Sequence, residues 1–401
     1  MSVIDRSPPV LIGCDELAAR VTGWSRGTVI LLLDAGIADA AIAVRVRREI
    51  ERAGRRAETL TLCGPPDLAD VIELSERLTG TELVVAVGGG SLLDRAKLAV
   101  LLACEPTARA RLTVSERSGL VALPQVDRAG RLIAVPTTVG TGAELSRAAC
   151  LTYPRGKRLV LGDVLRPDAA LLDPEAFATL PGEMIAEGVL EALFRTVTVY
   201  AGDHTDSLVE DALAESVAEN LVALGYRVRD SRAAGLPVDG ATLTDIAKLS
   251  GLSQLDWLHQ GRGAFVAKGW FIANELSMEL RVRKMRAVAA LLPHLWRAIT
   301  DGDERFGSAR RLSRIWSRLR TAAPDHLAAD PAEGIATLID VWRVDRRITA
   351  GQDRLRATAS RIVRAWGGGL PMLGGLRHDE LRGLLSRAVL PTAAGEAARS
   401  T

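Results

Sequence analysis

The sequence predicts an α/β N-terminal nucleotide-binding domain with a parallel sheet, followed by an all-α C-terminal domain. In the first 180 residues, short runs that are apolar throughout alternate with segments of helical periodicity. Such strands are typical of parallel sheets that are covered on both faces. After Pro181, strand signals vanish and apolar residues recur at helical spacing. The Pro-Gly pair at 181 and 182 therefore marks a predicted boundary between domains at 1–180 and 181–401.

The elements of the first half follow one another in βαβ order. Strands are predicted at 28–33, 59–62 and 83–87, and helices at 44–53 and 67–78. A further helix follows the third strand. This alternation indicates an open nucleotide-binding layer.

Charge is nearly balanced along the chain. Among 401 residues, 51 basic and 49 acidic side chains leave a net charge of +2, and no long block has a single sign. Bulk electrostatics therefore give no reason to expect nucleic acid or a membrane as a partner. The most apolar run, 83–104, is interrupted by Asp94, Arg95 and Lys97, so no segment is expected to cross a bilayer.

The cysteines are far apart and form no Cys-x-x-Cys pair. They are Cys14, Cys63, Cys104 and Cys150. This spacing fits reduced thiols better than a disulfide framework or structural zinc. Because the N-terminus also lacks an apolar signal core, we expect a cytoplasmic location.

Three glycines follow the third predicted strand and precede a helix. Here they are called the glycine loop, Gly88–Ser91. Glycines let backbone N–H groups approach a pyrophosphate at the positive end of a helix. Ser91 is expected to cap that helix, and Asp94 resembles the reciprocal partner of a capping box. The alternative is a tight glycine turn without a ligand.

A second loop combines three threonines with two glycines after the apolar run 132–135. Here it is called the threonine loop, Thr137–Gly142, within the segment Pro136–Glu144. Its hydroxyls can hydrogen-bond ribose and phosphate oxygens. Taken alone, it is also compatible with an ordinary Ser/Thr turn.

The two loops, in this order and spacing, resemble the iron-containing alcohol dehydrogenase and dehydroquinate synthase superfamily. The resemblance continues through Lys157, Asp168, 172–174 and 180–181. It covers roughly residues 10–300 and is strong in the nucleotide half and weak in the helical half. It implies the predicted fold, a nicotinamide cofactor and a homo-oligomer.

The resemblance also implies which residues bind the cofactor. The pyrophosphate would be held by Gly88, Gly89, Gly90, Ser91 and Asp94, and the nicotinamide and ribose end by Thr137, Thr138 and Thr141. Asp34 stands where the family places an acid near the adenosine ribose. A carboxylate there accepts hydrogen bonds from a 2′-hydroxyl and repels a 2′-phosphate, which favours NAD over NADP. Alternatively, Asp34 merely caps a turn.

The resemblance fails at the metal site. Metal-dependent members use an acid, a histidine one turn later and two further histidines. Glu191 matches the acid, but Arg195, Trp270 and Lys284 stand at the histidine positions. Neither Arg, Trp nor a protonated Lys is a plausible ligand for zinc or iron. We therefore expect no metal cofactor. His259 would supply a ligand only if the alignment contains an insertion, and is otherwise a packed residue.

Positive side chains are the candidates to replace the cation. In metal-dependent relatives the cation stabilises a developing alkoxide, and a buried ammonium or guanidinium supplies similar help. Lys284 and Arg195 are the candidates, although the basic segment 281–286 is also compatible with a solvated Lys284. Lys157 matches a family lysine at the cleft between the domains, or is an ordinary hairpin cation.

The leading hypothesis is an NAD(P)-dependent oxidoreductase that moves hydride between NAD and a secondary alcohol or its ketone. The substrate would be a small molecule or a peptide, anchored by Glu191 with Lys284 or Arg195. The Ala-rich and Arg-rich composition suits an actinobacterial-type genome, where diverged members of the family that this chain resembles are often recruited to natural-product tailoring. One form of this hypothesis resembles the dehydrogenase of daptide-type peptide clusters. In that form, the enzyme would oxidise a C-terminal threonine, whose β-keto acid then loses carbon dioxide.

Two alternatives remain open. One is a cyclase like dehydroquinate synthase that uses NAD transiently, although the two histidines of that enzyme are absent. The other is a catalytically inactive nucleotide-binding homologue that acts as a partner protein. The complete cofactor loops count against the second alternative.

Overall fold

The computed structural model describes residues 8–105, 107–114, 118–126, 128–154 and 156–392. Two compact units divide the chain. The first contains Met1–Ile185 and Val238–Leu255, and the second contains Ala186–Pro237 and Asp256–Thr401. The first unit therefore extends past the predicted boundary at residue 180 and includes a helix from the predicted helical half.

The strands of the first unit are β1 Val10–Ile12, β2 Val29–Asp34, β3 Ala57–Leu62, β4 Leu83–Gly88, β5 Leu120–Ala122, β6 Arg131–Pro136, β7 Ala148–Tyr153, β8 Gly156–Leu161 and β9 Ala169–Leu172. Six of them form a parallel sheet in the order β1-β9-β6-β4-β2-β3. The predicted parallel sheet is confirmed. Every residue of β4 is buried, as expected for a central strand covered on both faces.

A smaller sheet in the same unit has the order β5-β8-β7. Strands β7 and β8 form an antiparallel hairpin in which Thr152 lies opposite Lys157. Strand β5 adds to β8 in parallel. This hairpin follows the threonine loop directly.

The first five helices are α1 Leu17–Trp24, α2 Ala41–Arg52, α3 Leu68–Arg77, α4 Gly90–Cys104 and α5 Ala108–Thr113. The remaining helices are α6 Gly182–Gly202, α7 Leu208–Ala233, α8 Gly240–Leu252, α9 Lys268–Leu280, α10 Lys284–Thr300, α11 Ala309–Ala322, α12 Pro331–Val341, α13 Gln352–Trp366 and α14 His378–Ala388. The predicted helical C-terminal region is thus confirmed. Its described part also contains two strands of two residues each, β10 Thr349–Ala350 and β11 Leu390–Pro391.

Helix α8 belongs to the first unit because its small residues allow close packing there. A Cβ on Gly240 would lie 2.8 Å from Cβ of Pro174, and a Cβ on Gly251 would lie 2.7 Å from Cδ1 of Leu145. A single predicted boundary near residue 180 did not anticipate that the chain comes back to the first unit at Val238–Leu255. Across the described residues, each helix is either too short or too polar to traverse a bilayer.

A buried ion-pair network holds the second unit together. Arg311 is fully buried and donates to both carboxylate oxygens of Asp211, at 2.8 and 2.6 Å. Arg262 and Arg314 also contact this carboxylate, at 3.0 and 2.7 Å. Burial opposes ionisation, but hydrogen bonds from Arg311, the Ser207 amide and Arg262 hold the pKa of Asp211 far below its usual value. The carboxylate is therefore ionised at neutral pH.

Asp211→Asn is expected to destabilise the protein at pH 7 by about 3–5 kcal/mol, because it removes the carboxylate that pairs with the buried guanidinium groups of Arg262 and Arg311. A carboxyl whose pKa is lowered on folding adds stability above its unfolded pKa, near 3.9, and loses it as pH falls toward the folded pKa. The difference in the free energy of unfolding between the variant and the wild type should therefore be largest near pH 7 and should decrease below about pH 4.

Urea unfolding at pH 7 and pH 3.5 would measure both effects. Asp353→Asn is the matched control, since the Asp353 side chain is 93% exposed and pairs with Arg356 only at the surface. Its cost should stay below about 1 kcal/mol. Equal stabilities of the two variants at pH 7 would contradict the assignment.

Candidate cofactor and substrate sites

The carboxyl edge of the parallel sheet brings the predicted cofactor residues together. Strand β2 ends at Asp34, β4 ends at Gly88 and β6 ends at Pro136, which pairs with Gly88. The Thr137 amide donates to the Gly88 carbonyl at 3.0 Å. A Cβ on Gly88 would lie 3.2 Å from Cβ of Asp34. Asp34 and both loops therefore lie at one edge, where open α/β sheets bind ligands.

The glycine loop packs directly against the threonine loop. A Cβ on Gly89 would lie 3.2 Å from Cγ2 of Thr138, and a Cβ on Gly90 would lie 3.1 Å from Cγ2 of Thr141. A Cβ on Gly88 would meet Leu92 at 2.9 Å. A side chain at Gly88 would thus overlap α4, and side chains at Gly89 and Gly90 would press on the threonine loop.

The start of α4 differs from the sequence-based expectation. Its N-cap is Gly89, with no side-chain cap hydrogen bond, so the helix already begins at Gly90. Ser91 lies inside the first turn and is exposed. The prediction that Ser91 caps the helix is therefore wrong. A helix start that lacks a side-chain cap presents backbone amides to an anion.

Asp94 is not a capping-box partner. Its Oδ2 accepts a hydrogen bond from the Cys150 amide at 2.9 Å, which ties α4 to β7. The capping-box expectation is wrong because the helix starts before Ser91 and the carboxylate contacts β7. Its role as a pyrophosphate residue stays a prediction.

The donors and acceptors at this edge fit a dinucleotide. Thr138 Oγ1 is buried and lacks a hydrogen-bond partner among the described residues, so a ligand hydroxyl or phosphate would satisfy it. Asp34 Oδ1 accepts from the Gly36 amide at 2.9 Å. Asp34 therefore does cap a turn, which uses one of its two carboxylate oxygens. Turn capping and ribose binding are compatible.

Two buried cations of α4 fix the surrounding loops. Lys97 is fully buried, and its ammonium donates to the carbonyls of Ser146 at 3.2 Å and Ala148 at 3.1 Å. Burial lowers the pKa of Lys97, and the nearby Asp94 and Glu144 carboxylates oppose that shift. The sequence-based reading used Lys97 only to exclude a membrane span. A charge inside an apolar helix was the signal for its role.

Arg95 anchors the loop that follows β3. It donates to three successive carbonyls, those of Cys63 at 3.0 Å, Gly64 at 3.1 Å and Pro65 at 3.1 Å. This loop lies beside Asp34, because Asp34 pairs with Leu62 at the end of β3. The adenosine side of the predicted cofactor site is therefore fixed from α4 as well.

Helix α8 and the residues directly after it contact the threonine loop, although they lie far from it in the sequence. The side-chain amide of Gln254 donates to the Thr141 carbonyl at 2.7 Å. Gly142 has a φ of 60°, and a Cβ there would lie 2.6 Å from Cγ of Gln254 and 2.8 Å from the Ser250 carbonyl oxygen. No local sequence signal connects Gln254 with a loop more than a hundred residues earlier.

In the second unit, Glu191 is contacted by both predicted cations. Lys284 Nζ lies 2.8 Å from Glu191 Oε1, and Arg195, one turn along α6, lies 3.6 Å from the same atom. Burial disfavours the charged carboxylate, but Lys284 and Arg195 outweigh it and hold the pKa of Glu191 below its usual value. Lys284 is therefore a member of a defined cluster, and its side chain is also 37% exposed to solvent.

Trp270 forms the aromatic side of this cluster. The ammonium of Lys284 lies 4.7 Å from the centroid of its ring, and the guanidinium carbon of Arg195 lies 5.9 Å from it. The ring packs on Phe194, with centroids 4.7 Å apart. Next to this cluster, Arg283, which precedes α10, pairs with Glu187 of α6 at 2.8 Å. Glu187 lies one turn before Glu191 on α6.

These residues do not fit a catalytic divalent cation. Two positive side chains contact the one carboxylate that matches the family's acid ligand, and they would repel a metal ion. Within the described ranges, no group of three or more His, Cys, Asp or Glu side chains is arranged to hold a metal. The expectation of a metal-free site stays a prediction.

For Lys157 and His259, the structure defines the local element to which each residue belongs. Lys157 is half-buried on β8, which places it in the hairpin as the alternative interpretation states. His259 is half-buried after the short helix Asp256–Leu258, and its amide donates to the Asp256 carbonyl. Their catalytic roles stay predictions.

Comparison with known proteins agrees with this geometry. Residues 11–174 match the iron-containing alcohol dehydrogenase family. Aldehyde-alcohol dehydrogenase 2 of Entamoeba histolytica is 31% identical over 54% of this chain and 24% of its own length. Long-chain-alcohol dehydrogenase 1 of Geobacillus thermodenitrificans is 29% identical over 59% of this chain and 55% of its own length. The chain thus spans about half, or less, of these relatives.

The fold similarity extends over almost the whole chain. The structure of NADH-dependent butanol dehydrogenase A from Thermotoga maritima superposes with a TM-score of 0.78 at 18% identity, covering 97% of this chain and 98% of that one. Residues 11–174 therefore form a domain of this family, and the helical region completes the fold that these dehydrogenases share.

Gly142→Ala is expected to destabilise the first unit by about 1–3 kcal/mol, because the new methyl group overlaps Ser250 and Gln254 and the φ angle is unfavourable for alanine. Thermal unfolding would measure the loss. Gly27→Ala is the control, since no heavy atom lies within 4 Å of a Cβ at Gly27. Equal melting temperatures would show that α8 does not restrain the threonine loop.

Proposed function

Because residues 11–174 form a domain of the iron-containing alcohol dehydrogenase family, we propose that this chain is an NAD-dependent oxidoreductase. It moves hydride between NAD and a secondary alcohol or its ketone. The observation that carries the proposal is the direct packing of the glycine loop against the threonine loop beside Asp34. A dinucleotide cradle this complete is unnecessary in a protein that no longer binds nucleotide, and turnover distinguishes the oxidoreductase from an inactive homologue that still binds NAD.

The first unit supplies the cofactor side of the reaction. Bound NAD supplies the hydride acceptor. The amides at the start of α4 would face its pyrophosphate, and Thr138 would donate or accept a hydrogen bond through its buried hydroxyl. The Asp34 carboxylate favours a 2′-hydroxyl over a 2′-phosphate. The preference for NAD over NADP rests on this charge.

The second unit supplies the groups that stabilise the substrate oxygen. Oxidation of an alcohol develops negative charge on that oxygen, and a fixed positive group lowers the cost of this charge. Lys284 and Arg195 are fixed by the same Glu191 oxygen. Glu191 orients the two cations, which brings two positive side chains to one place. An alkoxide close to them would be stabilised by both.

We further propose that the substrate carries its own anionic group. Arg195, Arg283 and Lys284 lie together at the Glu187 and Glu191 carboxylates. A group of cationic side chains suits a substrate that carries a carboxylate next to the reacting hydroxyl. A C-terminal threonine of a ribosomal peptide has this arrangement, which matches a role in natural-product tailoring. Oxidation of its hydroxyl gives a β-keto acid, which loses carbon dioxide.

NAD is expected to raise the melting temperature of the purified protein, and NADP to raise it less at equal concentration. Asp34→Asn keeps an oxygen for the Gly36 turn but removes the charge. It should narrow the preference for NAD by about tenfold, which corresponds to about 1.4 kcal/mol. A melting temperature that does not respond to NAD would overturn the proposed oxidoreductase.

Lys284→Ala is expected to lower turnover by about a hundredfold or more, the usual effect of removing one group that stabilises an oxyanion. Turnover would be followed by NADH formation with peptides ending in threonine, the same peptides ending in threonine amide, and simple secondary alcohols. Release of carbon dioxide would identify the peptide reaction. Lys248→Ala is the control, because Lys248 is 45% exposed and pairs with Asp245 at the surface.

The metal content of the same samples would be measured. Stoichiometric zinc or iron in active wild-type protein would overturn the assignment of Lys284 and Arg195. Unchanged turnover of Lys284→Ala, with normal NAD binding, would exclude the ammonium from the reaction.

A further inference from the structure

Trp270 stands at a position where metal-dependent relatives would have a histidine, but it contributes a ring face instead of a ligand atom. Its ring is close to both cations of the Glu191 cluster, with Lys284 Nζ at 4.7 Å from the centroid. Trp is the side chain whose ring attracts cations most strongly. The replacement of a ligand by this ring therefore accompanies the replacement of the metal by side-chain cations.

The location of Lys284 requires such help. Lys284 is the first residue of α10, and no acidic residue lies in the first turn of that helix. The N-terminus of a helix carries partial positive charge, which disfavours an ammonium there. The lysine therefore does not stabilise its own helix. Attraction from other elements must hold it in place.

The chain between α9 and α10 turns sharply and brings these residues together. Arg281 ends α9 with a φ of 55°, a left-handed conformation that is uncommon for arginine. Strain of this kind persists only where the surroundings enforce it. The turn places the start of α10 beside Trp270 on α9, so that Lys284 lies over the ring.

A ring face and a carboxylate hold a cation with different consequences. Glu191 supplies one negative charge for two cations. A carboxylate in place of Trp270 would add a negative charge beside the two cations, and an aliphatic side chain would give no attraction. An aromatic face attracts the cation through its quadrupole and leaves the net charge of the cluster unchanged.

We propose that Trp270 is a positioning residue for Lys284 and Arg195. Its indole face holds the ammonium and the guanidinium at Glu191 and preserves their positive charge for the substrate oxygen. Phe194, which packs on Trp270 with its centroid 4.7 Å away, fixes the orientation of the ring. This inference rests on the proposed function, because the held charge is the one that stabilises the alkoxide.

The first test observes the ring and the ammonium directly. The chain has only five lysines, Lys97, Lys157, Lys248, Lys268 and Lys284. Protein labelled with 13C-lysine should therefore give five ε-methylene signals, and Lys284→Arg assigns one of them. The ring current of Trp270 should shift the Lys284 signal upfield. Trp270→Leu should abolish that shift, and Trp270→Phe should retain part of it.

Trp257→Leu is the matched control, because Trp257 lies in the same unit and is 50% exposed. It should leave the Lys284 signal unchanged. A Lys284 signal that is the same in wild type and Trp270→Leu would overturn the inference. The spectrum of Trp270→Phe keeps the test decisive if the leucine variant does not fold.

The second test measures turnover with the alcohol that the wild type oxidises best. Trp270→Leu should lower kcat at least tenfold, Trp270→Phe should recover most of that loss, and Trp257→Leu should have no effect. NAD affinity should be equal in all three. Equal kcat in the leucine and wild-type proteins would overturn the positioning role.

The two tests separate the inference from the proposed function. If wild-type protein oxidises no alcohol, the proposed function fails, and the inference about catalysis fails with it even when the NMR coupling is present. If wild type is active but Trp270→Leu changes neither the Lys284 signal nor kcat, the inference alone is overturned.

Discussion

The buried ammonium of Lys97 is the interaction on which the cofactor edge of the first unit depends. Removing an ammonium from water is costly unless hydrogen bonds and a counter-charge replace the solvent. Lys97 has both, since it donates to the Ser146 and Ala148 carbonyls and lies 3.7 Å from Asp94 Oδ1. These carbonyls follow the threonine loop, and Lys97 itself follows the glycine loop. The Lys97 side chain thus connects α4, which begins in the glycine loop, with the segment that follows the threonine loop.

The second unit also contains a buried charged group that is stabilised by its neighbours. There a buried carboxylate, Glu191, is surrounded by cations instead of a buried cation surrounded by carbonyls. The three residues that the family resemblance places at histidine positions lie close together, because Lys284 and Arg195 are both near the Trp270 ring.

Sequence reasoning succeeded where chemistry is local. The parallel sheet, the helical region and the two loops were anticipated from patterns or from the family resemblance, which also singled out Glu191, Arg195 and Lys284 without predicting the contacts among them. It failed at Ser91 and Asp94, because helix capping depends on where the first turn actually begins, and Gly89 took the cap. It also did not anticipate Gln254, whose contact with Thr141 spans more than a hundred residues.

By itself, the sequence determined which strands are buried, which loops carry glycine and which residues stand where the resemblance expects histidine, since hydrophobic period and residue chemistry are properties of short segments. Only the tertiary structure decided how far these segments depend on each other. In the folded chain, α8 packs in the first unit, Lys97 donates to the Ser146 and Ala148 carbonyls, and Trp270 lies beside Lys284 and Arg195. Each of these contacts joins residues that are far apart in the chain, and close packing between distant segments is decided by the whole fold.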